Sequence, residues 1–162
     1  MTPSETFAAC GFYLTPGHFS TQDWESINAI DANGRLISKL IKPVLFLTSD
    51  GRLFEIPDHQ PTDYASAPPI LWGAPLYLIP YGWWSLPAAG HDSAFQNLLL
   101  EHFDDSPISY RAKLTENQCN DLLDEMMDAI KPNPTPFEIL QRDAIVSGVT
   151  LGGWHAFKED RS

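Results

Sequence analysis

The chain has 162 residues, a net charge of −11, 43% hydrophobic and 12% aromatic residues, which fits one folded domain that needs no disulfide to complete its core. The acidic balance excludes general binding to phosphate backbones and to anionic membranes. Cys10 and Cys119 lie far apart, so neither a disulfide framework nor a Cys-based zinc motif is present.

Residues 1–20 read as irregular, with Pro3, Pro16 and Gly17. Met1 to Cys10 lack a basic region followed by an apolar run, so no secretory signal is visible. No apolar stretch is long enough to span a bilayer. These features read as a soluble protein made in the cytoplasm. From Trp24 to Pro57, two turn signals, Asn33-Gly34 and Asp50-Gly51, bracket the run Val44-Leu45-Phe46-Leu47. Both supply the positive φ of tight primed turns. A small antiparallel meander follows from this, with a helix over Leu36–Lys42 as the competing reading, because Leu36, Ile37, Leu40 and Ile41 also fit a helical period.

Residues 57–87 hold seven prolines. No piece between them is long enough for a helix, so this is a long loop of turns, and long loops inside compact domains tend to be functional. Trp72, Trp83 and Trp84 are its expected anchors in the core. Pro87 suits the first residue of a helix. The pattern Ala88, His91, Phe95, Leu98, Leu99 and His102 extends that helix to about Phe103, where Asp104-Asp105-Ser106-Pro107 ends it. Thr115 and Gln118 form a capping box for a second helix, with an apolar stripe of Cys119, Leu122, Leu123, Met126, Met127 and Ile130. Its acidic side, Asp121, Asp124, Glu125 and Asp128, is expected to be solvated. Lys131-Pro132-Asn133-Pro134 breaks it, and a third helix starts near Thr135. Strands first and helices after is an α+β pattern: a single domain, residues 1–162, with a small antiparallel sheet, a Pro/Trp-rich loop and about three helices.

Candidate chemistry concentrates in Thr62-Asp63-Tyr64-Ala65-Ser66 and in Gly90-His91-Asp92. His91 lies on the apolar stripe of its helix. One reading is a core histidine held by a hydrogen bond, with Asp92 favoured near the helix start. The other makes His91 a general base or metal ligand, since its charge adjusts near neutral pH. Asp63 is the right kind of third ligand, so Asp63, His91 and Asp92 form the candidate metal set. Calcium, magnesium, manganese, zinc or iron would each suit such donors. Ser66, three residues after Asp63, suits a side-chain-to-backbone turn and lacks the G-x-S-x-G surroundings of a hydrolase nucleophile. His18, His59, His102 and His155 form no ligand spacing.

Four pieces in order, T-D-Y-A-S-A-P-P, A-A-G-H-D-S-A-F, C-N-D-L-L-D-E-M-M and G-G-W-H-A-F, resemble a phage- and prophage-associated family of unknown function. Its usual form reads T-D-F-A-S-V-P, A-A-x-x-H-D-x-x-Y and A-D-x-x-F-x-x-A-M. The resemblance covers residues 43–157 and leaves residues 1–42 as an N-terminal extension. It implies an accessory protein, virion- or tail-associated, with phage structural or host proteins as partners. The family's acid on the second helix falls on Asn120 here. The His-Asp helix followed by that acid also looks like the helix pair of secretory and parvovirus-type phospholipases. That likeness implies a metal-dependent hydrolase as the alternative, with His91, Asp92 and Asn120 as the catalytic set and Asp63 with Ser66 in binding. The glycine-rich calcium loop of those enzymes is missing. Two placements follow: Asp63, Ser66, His91 and Asp92 form one cluster, and Asn120 faces His91 while Asp121 points away.

Overall fold

The computed structural model describes residues 14–21, 26–30, 36–58, 61–62, 82–103 and 108–159. Eight strands and three helices occur among them: β1 (His18–Phe19), β2 (Ser26–Ile30), β3 (Leu36–Leu40), β4 (Val44–Leu47), β5 (Leu53–Ile56), β6 (Pro61–Thr62), α1 (Ser85–Phe95), β7 (Leu100–His102), β8 (Ser109–Arg111), α2 (Glu116–Ile130) and α3 (Pro136–Glu159). The fold is α+β. One antiparallel sheet runs in the order β1-β4-β5-β7-β8, and a second runs β2-β3-β6.

Register follows from side-chain alternation. Phe46 stands opposite Phe54 and Val44 opposite Ile56, which directs these four to one face of the larger sheet. There they join Leu86, Phe95, Cys119 and Met126 in the main core. The intervening Leu45, Leu47 and Leu53 point to the other face and pack with Leu14. The central strands are therefore buried on both sides, and the unbroken apolar run of β4 reflects this. At the β4–β5 turn, the Thr48 N–H donates to the Arg52 carbonyl at 2.9 Å and the Gly51 N–H to the Thr48 carbonyl at 3.1 Å. Gly51 has φ 92°. The connection is thus a three-residue loop ending in a left-handed glycine, not the two-residue primed turn expected for Asp50-Gly51. The β2–β3 pair is an antiparallel hairpin, so Leu36–Leu40 is strand and the helical reading of that segment is wrong. The turn dipeptide Asn33-Gly34 lies outside the described residues.

The first helix is shorter than its apolar pattern suggests. It spans Ser85–Phe95, so it starts two residues before the expected Pro87, which is its third residue and not its first. Asn97 adopts φ 58°. The Leu98 N–H donates to the Ser93 carbonyl at 2.8 Å and the Asn97 N–H to the Ala94 carbonyl at 3.2 Å. That pair of bonds is a Schellman ending, in which asparagine takes the left-handed position usually held by glycine. The chain then leaves the helix, and Leu100–His102 joins β5 as a sheet strand. The expected helix to Phe103 is therefore wrong after Phe95, and the order is not strands first: β7 and β8 complete the sheet after α1.

The second helix carries the capping box read from the sequence. Thr115 Oγ1 accepts from the Gln118 N–H and Gln118 Oε1 from the Thr115 N–H. Thr135 and Glu138 repeat the same device at the start of α3, with Pro136 in the favoured first position. The acidic side of α2 is not simply solvated. Asp124 and Asp128 both hold Arg142 of α3, and Glu125 accepts the Ser49 N–H. Trp84, Leu123, Met127 and Ile145 make a separate cluster that seats α3 on α2. Trp83 Nε1 donates to the buried Gln141 at 3.1 Å. Trp72 and residues 63–81 of the Pro-rich loop lie outside the described residues. Among the described residues, no helix is long and apolar enough to cross a membrane.

Candidate functional site

The centre of interest lies where α1 meets α2 over the core face of the larger sheet. Gly90 permits this approach. A Cβ added there would stand 2.7 Å from Met126 Sδ of α2 and 3.0 Å from Ile56 Cδ1 of β5. Both neighbours are fully buried and cannot swing into solvent. A helical glycine ordinarily costs about 1 kcal/mol relative to alanine, whereas overpacking a dense core costs about 1–3 kcal/mol. Gly90→Ala is therefore expected to lower stability by about 1 kcal/mol net, read as a lower urea midpoint at unchanged m. A gain in stability would show that α1 and α2 have room to spare.

The close approach brings His91 against α2. Its side chain is 6% exposed. His91 Nε2 lies 3.1 Å from Asn120 Oδ1, and the ring packs on Phe95 one turn on, with centroids 4.2 Å apart. Asn120 faces His91, and Asp121 is exposed, as the apolar stripe of α2 requires. Because Oδ1 can only accept, Nε2 carries the proton and donates. In a neutral ring this leaves the lone pair on Nδ1. Burial disfavours the imidazolium and outweighs the hydrogen bond to Asn120, so the His91 pKa falls to about 4. The ring is uncharged at neutral pH.

Asp92 is half-buried beside it. Consecutive helical positions diverge by about 100°, so His91 enters the α1–α2 interface while Asp92 borders it. Asp63 and Ser66 lie outside the described residues. Backbone contact between β6 and α1 does bring the chain leading into Asp63 alongside the His91 helix. Among the described residues, no three His, Cys, Asp or Glu side chains gather as a metal site. Of the expected set only His91 and Asp92 are described, and the Nε2 of His91 is already engaged by Asn120.

Two further polar pairs escaped the reading of the chain. Arg52 makes a two-pronged bond to the buried Glu101, Nε to Oε1 at 2.8 Å and Nη2 to Oε2 at 3.0 Å. On the other sheet face, His102 Nε2 sits 2.6 Å from Glu55 Oε2. Both reach diagonally across the β5–β7 pairing, from Arg52 just before β5 and from Glu55 within it, and they become neighbours only once Leu100–His102 is strand. With the segment read as helix, no sequence spacing could have paired them. Comparison with protein-family models, curated proteins and solved structures gives no match to this chain.

Proposed function

We propose that the chain is a phage or prophage accessory protein, virion- or tail-associated, in which His91 and Asn120 form an uncharged hydrogen-bonded lock between α1 and α2. The motifs in family order, with matches at Asp63, Ser66, Pro68, His91 and Asp92, support the phage assignment. One observation carries the structural role of the centre: a histidine buried to 6% exposure, bonded to an amide. A general base works best with a pKa near the operating pH, and burial holds His91 near 4. An amide partner cannot offset the positive charge that proton abstraction would create. Particles induced from the encoding strain test the assignment: the chain should co-sediment with virions or tails on a density gradient. Its exclusion from all particle fractions would count against it.

A metal-dependent hydrolase is the second reading. It is favoured by the placement of His91 against a second-helix side chain, which leaves Nδ1 as proton acceptor. Asn120→Asp separates the two. A carboxylate at that position should raise the His91 pKa by roughly 1–3 units, visible as an imidazole NMR titration moved towards the ordinary histidine range. The lock reading expects this shift with no turnover of phosphatidylcholine vesicles in calcium. Turnover that rises in Asn120→Asp and is lost in His91→Ala would replace it with the hydrolase.

A further inference from the structure

The far end of the larger sheet presents an edge of unusual chemistry. β8 is the terminal strand and pairs only with β7 among the described residues. The Ala112 N–H donates to the Leu99 carbonyl at 2.8 Å. This fixes the alternation of the antiparallel ladder: Ala112 and Tyr110 turn their backbone groups towards β7, and Ser109 and Arg111 turn theirs outward. The side chains alternate as well. Phe103, Ile108 and Tyr110 stand on the face shared with Phe54 and are 53%, 56% and 54% exposed, with the Phe103 and Tyr110 rings 6.0 Å apart. Arg111 points to the opposite face, and both Arg111 and Lys113 are exposed. Neither forms an ion pair with the described residues, on a chain that has only 10 Lys and Arg against 21 Asp and Glu.

We propose that the β8 edge docks an extended segment of a partner protein whose side chains alternate apolar and acidic. An added strand would pair its backbone with the outward groups of Ser109 and Arg111, the strand-addition mode of recognition. Alternate residues would fall on the Ile108–Tyr110 surface. The intervening ones would meet Arg111 and Lys113, where carboxylates give charge complementarity. A second copy of this chain fits poorly, because it brings the same cations, Arg111 and Lys113, on its own edge.

The probe is a blocked, fluorescein-labelled synthetic peptide of about eight residues alternating valine and glutamate, with valine–lysine as its control. Anisotropy should show saturable binding of the glutamate peptide to the full chain, with slowed amide exchange at Ser109 and Arg111. The doubly reversed Arg111→Glu, Lys113→Glu protein should bind it about tenfold more weakly or worse. Ser109→Pro should abolish binding while leaving the melting temperature close to the parent, because the lost N–H faces outward. Three results would overturn the proposal: no saturable binding by folded protein, equal binding of the lysine peptide, or unchanged affinity in both variants. A concentration-dependent dimer abolished by Ser109→Pro would also overturn it, by showing that the edge pairs with its own copy.

Discussion

His91→Ala is expected to lower stability at pH 7.5 by about 3 kcal/mol, the cost typical of truncating a large buried side chain, and so to lower Tm by roughly 6–12 °C. Two losses add. The ring leaves a space against Phe95 in the α1–α2 interface, and Asn120 Oδ1 loses its donor. The second loss is worth about 1 kcal/mol and can be isolated. In a double-mutant cycle with Asn120→Ala, the coupling energy should be about 1 kcal/mol. Additive effects would show that the contact contributes nothing to folding, and the lock would be excluded.

The second large effect depends on pH. His91 titrates at about 4 in the folded protein and near 6.5 in the unfolded chain. Above about pH 7 both states hold a neutral ring, and His91 carries no penalty. As pH falls, the unfolded chain takes up its proton first. Stability then drops by up to about 1.4 kcal/mol per pH unit, reaching about 3 kcal/mol near pH 4 and levelling below it. Carboxylates titrate over part of the same range, so the reference is His91→Leu, which keeps them and removes the imidazole. The variant should be about 1 kcal/mol less stable than the parent at pH 7.5, from the unpaired Asn120 amide. It should be about 2 kcal/mol more stable near pH 4. The measurement is denaturant unfolding of both proteins across this range. Parallel curves would mean that His91 titrates alike in both states.

Much of the site was legible in the chain because it depends on local periodicity. The capping box at Thr115 set the phase of α2, and that phase put Asn120 towards His91 and Asp121 into solvent. The stripe Ala88, His91, Phe95 set the buried face of α1 in the same way. Reading failed where tertiary pairing overrides periodicity. Leu98-Leu99-Leu100 continues a helical stripe, yet the left-handed Asn97 ends the helix and sends Leu100 into the sheet. The signal was present, since asparagine is second to glycine in that position, but the apolar run masked it. The pairs Arg52–Glu101 and Glu55–His102 were lost with it. The salt link from Arg142 to Asp124 and Asp128 was hidden for another reason: an acidic helix face looks alike whether water or a neighbouring helix covers it. The expected cluster with His91 and Asp92 turns on Asp63 and Ser66, which lie outside the described residues.

The central claim is that His91 is a neutral, buried hydrogen-bond donor. Nitrogen-15 NMR of the imidazole tests it most directly, because it reports both the protonation state and the ring nitrogen that holds the proton. The account predicts an Nε2–H tautomer that stays unchanged from pH 8 to pH 5.5, with a midpoint at about 4. A midpoint at or above the ordinary histidine value, or a proton resident on Nδ1, would contradict it.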